Sequence, residues 1–389
     1  MRLRSGRLRF VVVGASVSVT LGALVVVAGP AAPAHAAGHR VLVVPRDFAT
    51  IQAAVDAAGP GDTVNVGAGT YVEQIVIVKD LTLHGAGMGA TVVRAPSTLV
   101  PYGEDTRNGR HLSAIVEVGN HAHVQVSGLG VTGPVPCADV DEGIGVVEDA
   151  YLELFDSMVS QIVATGCAAE AYGMVFGVSP SYAIHGVAGG TTARARVSHV
   201  VVDTFESAGV VVVGPYGRPP TRVTLTDNTV LAGTPVAPAD QVGIWVRLNA
   251  VGQVIGNTVL GGACSYDGCG FDPIFEYQSS GAVIEAADGS TVIGNHVSGA
   301  DIGIINNAAG VTVSGNSLTD NHDFGIVVFD ADSVTKGNTI TGGRVGIGVA
   351  AVTRDSSELS RGDRTSGTTS AATQAFECCG FHAIISVKP

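Results

Sequence analysis

Short stretches of alternating hydrophobic and polar residues run along most of this chain. Between residues 281 and 350 the same phrase returns three times, each time with Val or Ile at every second position and a Gly-Asn pair in the middle. Its asparagines, Asn295, Asn316 and Asn338, lie 21 and 22 residues apart, and each phrase is followed by a strand that opens with Gly-Ile. A fixed period of this length predicts one coil of a β-solenoid per repeat.

A stacking argument explains why such a repeat folds. One coil cannot bury its apolar positions alone, whereas parallel coils cover one another and pair their backbone groups in a ladder. We expect the asparagines at the turns between strands, where left-handed backbone geometry is tolerated and stacked amides hydrogen-bond from coil to coil.

With its repeats around Asn295, Asn316 and Asn338, the chain resembles the right-handed parallel β-helix proteins of the pectin-lyase-like superfamily. The resemblance implies an all-β fold, a single-stranded right-handed parallel β-helix (solenoid) with a short N-terminal capping helix. Strand candidates in the middle of the chain are spaced more widely, which indicates loop insertions. We predict roughly nine or ten coils.

The first 36 residues have the pattern of a secretory signal peptide. Four arginines precede an apolar run from Phe10 to Ala28, and Ala34-His35-Ala36 fits a cleavage site. An uncleaved membrane anchor is the alternative, because the apolar run is long. We therefore predict a secreted, extracellular protein with no membrane association after cleavage.

Composition and charge narrow the classes of partner. The chain has 389 residues, 46% hydrophobic and only 5% aromatic, with 53 glycines, which fits many thin Val and Ile layers better than one bulky core. The formal net charge of -13 argues against nucleic acid as a partner, although a local basic cleft stays compatible with it. We expect a monomer that binds a polysaccharide.

Before the first coil, residues 41–87 predict a short amphipathic helix that covers the open end of the solenoid. Ile51, Val55 and Ala58 share one helical face, and Asp47 is the expected N-cap. The phrase Gly69-Thr-Tyr71-Val-Glu73 resembles one in pectin methylesterases. The favoured interpretation is that it shapes a turn and a strand, because the paired aspartates of those enzymes have no counterpart here.

The predicted domain boundaries are a signal peptide at 1–36, the β-helix at 37–355, and a polar linker with a C-terminal cap at 356–389. The last segment is rich in Ser, Thr, Gly and Arg, which predicts a flexible tail. Six cysteines in an exported chain predict disulfides, with fifteen pairings open: Cys137, Cys167, Cys264, Cys269, Cys378 and Cys379.

Candidate site residues come from aligning the coils on their strand-opening glycines. The outward position four residues on is Arg247, Glu285 and Asn307 in successive coils, with the single tryptophan, Trp245, beside Arg247. Rings stack on sugars, and charged groups hold hydroxyl or carboxyl groups, so this pattern predicts a glycan groove open to solvent. The alternative is a covered Trp245 with an ordinary salt bridge between Arg247 and Glu285.

The segment 260–280 adds aromatic and acidic residues beside that face. Its phrase Gly270-Phe271-Asp272-Pro resembles the start of the catalytic phrase of alginate C5-epimerases, but Ile274 occupies the place of their histidine. We assign Arg247, Asp272 and Glu285 as the catalytic candidates. The substrate-binding candidates are Trp245, Tyr266, Phe271 and Asn307.

We predict no obligatory cofactor, with calcium as the open alternative. Carboxylate oxygens are typical calcium ligands. Acidic residues that could supply them occur at neighbouring turns: Asp301, Asp320, Asp323, Asp330 and Asp332. The other interpretation is that these side chains satisfy turns and solvate a loop.

Two functions remain open on this basis. The first is a carbohydrate-active protein, lyase-like or hydrolase-like, that binds or cleaves an extracellular polysaccharide. The second is a non-catalytic extracellular structural or surface-display protein. Signatures of pectate lyases and polygalacturonases are missing from the sequence, and the fold by itself does not select an activity.

Overall fold

The structure, a computed structural model, describes residues 38–105, 110–136, 140–164, 170–177, 191–215, 218–233, 241–262, 279–377 and 381–388. Contacts divide the chain into Met1–Gly38 and His39–Pro389, and the second unit contains every helix and strand given below. The predicted signal peptide and all six cysteines lie outside the described residues, so secretion and disulfide pairing stay predictions. In the part of the chain that is described, no helix is both long and apolar enough to cross a bilayer.

Three parallel sheets form the fold, and we number them in the order in which the chain visits them. Sheet 1 has 13 strands: β1 Val41–Val44, β2 Asp62–Val66, β5 Leu81–Gly85, β9 His123–Ser127, β12 Tyr151–Phe155, β15 Arg194–Ser198, β18 Thr221–Thr226, β21 Ala250–Ile255, β24 Thr291–Ile293, β27 Thr312–Ser314, β30 Asp332–Lys336, β33 Ser356–Arg361 and β36 Ala383–Lys388. Sheet 2 has 11 strands: β3 Gly69–Val72, β6 Thr91–Arg94, β10 Gly130–Thr132, β13 Met158–Ile162, β16 Val201–Phe205, β19 Thr229–Leu231, β22 Thr258–Leu260, β25 His296–Ser298, β28 Ser317–Thr319, β31 Thr339–Thr341 and β34 Arg364–Ser366.

Sheet 3 has 12 strands, of which one is antiparallel. Its parallel strands are β4 Ile75–Ile77, β8 Arg110–Val118, β11 Val140–Val146, β14 Glu170–Gly177, β17 Ala208–Gly214, β20 Val242–Leu248, β23 Ser280–Glu285, β26 Ile302–Asn307, β29 Phe324–Phe329, β32 Val345–Ala351 and β35 Ala371–Glu377. The strand β7, Gly103–Asp105, pairs antiparallel with β8. Each strand pairs with its counterpart one coil away, which confirms the predicted parallel β-helix. The described residues form eleven coils, more than the predicted nine or ten.

The interior of the solenoid is filled by the inward positions of every coil. Thin stacks of Val, Ile, Leu and Ala form one continuous buried cluster from Leu42 to Ile347. Strand alternation is clearest in sheet 3, where Ile244 and Val246 are fully buried inside while Trp245 points outward and is half-buried. The inward and outward assignment made from the sequence is therefore confirmed.

A ladder of buried amides joins the coils at the turn between sheets 1 and 2. Each Nδ2 donates to the Oδ1 of the next amide at 2.9 to 3.0 Å, and also to a backbone carbonyl in the previous coil. The members are Asn228, Asn257, Asn295, Asn316 and Asn338, and all are at most 3% exposed. The predicted coil-to-coil amide bonding is confirmed.

The residue with left-handed backbone geometry at this turn is the one before the asparagine. Gly294, Gly315 and Gly337 have φ of 65°, 63° and 63°, a left-handed conformation that glycine adopts without steric cost. The left-handed geometry expected at this turn is thus adopted by the glycines. The role of the asparagines is to satisfy buried backbone groups, because each Oδ1 also accepts the backbone N–H of the preceding ladder residue.

A column of glycines marks the place where each coil enters sheet 3. A Cβ on Gly303 would lie 2.5 Å from Leu318 Cδ2 in sheet 2 and 2.6 Å from the backbone oxygen of Gly325 in the next coil. Similar close approaches occur along the column, which comprises Gly143, Gly173, Gly209, Gly243, Gly281, Gly303, Gly325 and Gly346. The strand-opening glycines therefore allow sheets 2 and 3 to meet closely.

The one helix among the described residues, α1 Ile51–Ala57, lies where the sequence predicts it, with Ile51, Ala54 and Val55 buried. Its N-cap is Thr50, whose hydroxyl accepts from Ala53 N at 3.1 Å, so the assignment of Asp47 is wrong. Asp47 instead accepts from Val43 N. The carboxylate of Glu73 accepts the first two helix N–H groups at 2.9 and 2.8 Å. This contact supports a structural role for the Gly-x-Tyr-x-Glu phrase.

The repeat does not stop at Asp355. Strands β33, β34 and β35 add one further coil to sheets 1, 2 and 3, and β36 pairs with β33. The expected polar linker is therefore a coil with polar outward positions. At its turn Asp363 replaces the ladder asparagine, and its Oδ1 accepts from Asn338 Nδ2 at 2.7 Å.

We expect Asn316→Ala to lower the free energy of unfolding by about 2 to 4 kcal/mol, because the change leaves buried donors of Asn295 and the carbonyl of Val292 without partners. Urea unfolding followed by circular dichroism measures this loss. The matched control is Asn65→Ala, where the half-buried amide makes no side-chain hydrogen bond and the change should stay within about 0.5 kcal/mol. Equal effects of the two substitutions would contradict the structural role of the ladder.

We expect Gly303→Ala to cost about 1 to 3 kcal/mol, because its new methyl group would overlap Leu318 and the backbone of Gly325. Gly89→Ala is the control, since no atom lies within 4 Å of its Cβ position. Thermal unfolding of both variants tests the column. A Gly303→Ala protein as stable as the control would show that sheets 2 and 3 can separate freely at this edge.

Candidate functional site

The outer face of sheet 3 brings together the candidates that lie on strands. Arg247 of β20, Glu285 of β23 and Asn307 of β26 are register partners on three successive coils, as the glycine alignment predicts. Trp245 lies two residues before Arg247, on the same face. Parallel strands are about 4.8 Å apart, so adjacent members of this row are within side-chain reach.

Trp245, Arg247 and Glu285 form one interlocked group, which we call the tryptophan cluster. The indole Nε1 of Trp245 donates to Glu285 Oε2 at 3.0 Å, and Arg247 Nη2 lies 3.4 Å from the same oxygen. The guanidinium carbon of Arg247 lies 4.0 Å from the centre of the Trp245 ring, an arrangement that adds a cation–π attraction.

Burial separates this group from the solvent-open groove that the sequence predicts. The side chain of Arg247 is 5% exposed and that of Glu285 is 19% exposed. The charges of Arg247 and Glu285 pair with each other. The expectation that these two side chains are open to solvent is therefore wrong, and the salt bridge of the alternative interpretation is observed. Arg247 Nε is nevertheless buried without a hydrogen-bond partner, and a buried donor of this kind requires an explanation.

The loop candidates Tyr266, Phe271 and Asp272 lie outside the described residues. Their assigned roles, and those of Arg247, Glu285, Trp245 and Asn307 in binding or catalysis, stay predictions.

A second group on the same face was missed by sequence reasoning, and we call it the carboxyl cluster: Tyr102, Glu117, Glu142 and Glu148. The phenol of Tyr102 donates to Glu142 Oε1 at 2.8 Å. Glu142 is 0% exposed, and its Oε2 has no hydrogen-bond partner. A Cβ on Gly145 would lie 2.5 Å from that oxygen, so the glycine makes the space that the carboxyl group occupies.

Register places Glu117 beside this space, because it pairs with Gly145 across the ladder. Burial raises the pKa of Glu142 well above its usual range, the hydrogen bond from Tyr102 opposes this, and the charges of Asp141 and Glu117 add to it. Burial, and then the charge of Glu148, raises the pKa of Glu117 to about 7. Both carboxyl groups are thus shifted toward the protonated form near neutral pH.

Between the two clusters lies a third polar contact on β8 and β14. Tyr172, the register partner of Glu142, donates its hydroxyl to Glu170 Oε2 at 2.7 Å. Arg110 forms an ion pair with Glu170 at 2.8 Å. Burial raises the pKa of Tyr172 well above its usual range, while Arg247 and Arg110 oppose that rise. Arg247 therefore interacts electrostatically with this part of the face.

The sequence did contain a signal for the missed group. The strand Val140-Asp141-Glu142-Gly143-Ile144 places two acidic residues in a segment that is otherwise buried, and both are 0% exposed. Acidic residues are almost never fully buried without a specific reason. The candidate residues come from positions that follow the strand-opening glycines. Glu142 precedes its glycine, Gly143, so this alignment does not include it.

The expected calcium ligands do not converge among the residues that the structure describes, since it contains no group of three or more His, Cys, Asp or Glu side chains that could hold a metal. Asp330 is occupied as an acceptor for the backbone of Val352 and Thr353. Asp301 lies 3.4 Å from His322 Nδ1. These contacts favour the turn-stabilising interpretation for both aspartates.

The comparisons agree on architecture. A family model described as a right handed beta helix region matches residues 185–360. The solved structure of a GH136 lacto-N-biosidase from Eubacterium ramulus is similar with a TM-score of 0.55 and 10% identity, over 90% of this chain and 68% of that one. A DFA-IIIase from Arthrobacter chlorophenolicus A6 has a TM-score of 0.51 and 12% identity, over 89% and 94%.

More distant is an alginate lyase from Paenibacillus sp. str. FPU-7, with a TM-score of 0.47 and 14% identity, over 87% of this chain and 99% of that one. No curated protein matches the sequence. The three parallel sheets, the family-model match and the two likenesses with TM-scores of 0.55 and 0.51 define the chain as a right-handed parallel β-helix protein without assignment to a specific enzyme family. At such low identity the likeness to the solved structures concerns the fold.

The carboxyl cluster predicts a pH dependence of stability. Because the pKa of Glu117 is raised in the folded state, that state retains a proton that the unfolded chain releases. Stability therefore falls as the pH rises between the ordinary value of 4.5 and about 7. In Glu117→Gln this contribution disappears, so its melting temperature should fall by fewer degrees than the wild type between about pH 5 and about pH 8.

Differential scanning fluorimetry across that range measures the difference. Asp156→Asn, at an exposed carboxylate that makes no side-chain hydrogen bond or ion pair among the described residues, is the control and should follow the wild-type curve. A Glu117→Gln curve parallel to the wild type would contradict the assignment.

Proposed function

We propose that this protein binds and hydrolyses a glycan on the outer face of sheet 3. The observation that carries the proposal is the presence, on one sheet face, of a tryptophan with an adjacent Arg and Glu and of a separate pair of carboxyl groups with raised pKa. In the first group the half-buried Trp245 offers ring surface to a sugar, and the second group is suited to acid–base chemistry.

Hydrolysis is favoured over elimination by the carboxyl cluster. Glycoside hydrolysis uses two carboxyl groups, one of them kept protonated near neutral pH by its environment. Glu142 is the candidate acid, because it is buried, hydrogen-bonded to Tyr102 and retains one unpartnered oxygen. Glu117, which is less buried and lies beside it in the ladder, is the candidate partner. For catalysis Tyr102 must move to admit the substrate.

Similarity to other β-helix structures supports a glycan as the ligand. Solved structures with TM-scores above 0.5 include a lacto-N-biosidase and a DFA-IIIase in complex with GF2. Within this proposal the N-terminal segment directs secretion, the substrate is an extracellular polysaccharide or oligosaccharide, and the protein acts as a monomer.

The display-protein alternative is favoured by one observation, the mutual engagement of Arg247, Glu285 and Trp245. A buried ion pair whose charges satisfy each other stabilises a long solenoid without binding anything. That alternative leaves the unpartnered atoms Arg247 Nε and Glu142 Oε2 unexplained.

Residues 37–389 should be tested against neutral and acidic oligosaccharides and polysaccharides. New reducing ends report hydrolysis, ultraviolet absorbance of an unsaturated product reports elimination, and affinity electrophoresis reports binding. We expect new reducing ends whose rate falls roughly 100-fold or more in Glu142→Gln. Glu377→Gln is the matched control for removal of a carboxylate from the same sheet and should keep wild-type activity.

Each other outcome selects a different function. Unsaturated product that disappears in Asp272→Asn would place an elimination site in the 260–280 region. Retention without product, lost in Trp245→Ala, would identify a binding module. Neither product nor retention on any glycan would support the display protein.

A further inference from the structure

The outer face of sheet 1 carries a groove that is separate from the face discussed above. Its volume is about 240 Å³, and its lining includes Tyr151 of β12, Arg194 and Arg196 of β15, Arg222 of β18 and Gln253 of β21. In this chain acidic residues outnumber basic ones by 34 to 21, so three arginines in one groove are a local reversal of charge.

The ladder register aligns these side chains in two columns. Tyr151, Arg194 and Arg222 follow one another directly across strands, and the ring of His123 stacks on Tyr151 with 4.5 Å between centroids. The second column, Glu153, Arg196 and Thr224, lies two residues further along each strand. Glu153 is the one acidic member, and it lies 3.9 Å from Arg196.

Arg194 and Arg222 form no hydrogen bond or ion pair within the described structure, and both side chains are exposed. They are direct neighbours on adjacent parallel strands, about 4.8 Å apart in the backbone. Like charges placed directly opposite each other destabilise a sheet. An anion held between the two guanidinium groups would relieve the repulsion. A like-charge pair also occurs on this sheet at Lys336 and Arg361, but of these four residues only Arg194 and Arg222 line the groove, together with Arg196, Tyr151 and Gln253.

We propose that this groove binds an acidic polysaccharide, with a carboxylate or sulfate group of the polymer held between Arg194 and Arg222. Guanidinium groups bind such oxyanions through paired, charge-assisted hydrogen bonds. The adjacent Tyr151 and Gln253 offer a ring and an amide to the neighbouring sugar, which an inorganic anion would not use. The net charge of -13 disfavours long-range attraction of a polyanion such as DNA, so the contact must be local.

This site would not require the proposed hydrolysis on sheet 3. It would anchor the protein to an anionic matrix while sheet 3 meets another part of the same material. The two proposals therefore fail independently, because one is tested by product formation and the other by binding to a charged polymer.

Affinity electrophoresis of the full folded domain through gels that contain polygalacturonate, chondroitin sulfate or uncharged dextran tests the groove. We expect retardation by an acidic polymer and none by dextran. The double variant Arg194→Gln/Arg222→Gln should lose affinity roughly tenfold or more. Retention by polygalacturonate would identify carboxylate as the bound group, and retention by chondroitin sulfate alone would identify sulfate.

The matched control is Lys336→Gln/Arg361→Gln, which removes two exposed, register-paired positive charges from the same sheet outside the groove. It should change the affinity less than about twofold. Equal losses in the two double variants would overturn the proposal in favour of diffuse electrostatics. Absence of retardation by every acidic polymer, or a tighter complex with single-stranded DNA, would also overturn it.

Thermal unfolding shows whether a lost affinity reflects lost folding. Removal of the Arg194–Arg222 repulsion should leave the melting temperature unchanged or raise it slightly. The conservative variant Arg194→Lys/Arg222→Lys keeps the charge without the planar fork and should retain part of the affinity. A lower melting temperature in Arg194→Gln/Arg222→Gln would assign the pair to stability and contradict the proposal.

Discussion

Register between successive coils is the constraint on which the rest of this structure depends. A one-residue slip would turn every inward Val and Ile outward, because side chains alternate along a strand. Two columns resist such a slip: the buried amides from Asn228 to Asn338, and the glycines where each coil enters sheet 3. The amides satisfy backbone groups at each turn, and the glycines permit an approach that a methyl group would block.

Once register is fixed, the outer faces become rows of side chains that meet at fixed spacing. On sheet 3 the row from Arg247 to Glu285 closes into the tryptophan cluster, while Glu142 lies in the space beside Gly145. On sheet 1 the same regularity places Arg194 against Arg222. The rigid scaffold keeps the side chains of each row in place. Binding and catalysis in such a fold therefore depend on which polar residue each coil contributes to the row.

The two faces differ in how their charges are balanced. The charges of Arg247 and Glu285 are paired and largely shielded from solvent, and burial raises the pKa of both Glu117 and Glu142. Electrostatic interactions are strong in such an environment. Arg194 and Arg222 of sheet 1 are exposed and have no partner among the described residues, which suits reversible contact with an anionic polymer. These contrasts support the proposed division between a glycan site on sheet 3 and an anchoring groove on sheet 1.

By itself the sequence determined the coil repeat, the inward and outward alternation, the amide ladder around Asn295 and the row of Arg247, Glu285 and Asn307, because each follows from a local period and from turn chemistry. It misplaced the end of the solenoid, since polar outward residues after Asp355 concealed a further coil. Only the tertiary structure decided that Arg247 is buried, that Tyr102 reaches Glu142, and that Arg194 faces Arg222. Those contacts join residues separated by loops of unequal length, and the length of a loop does not reveal which side chains its two ends bring together.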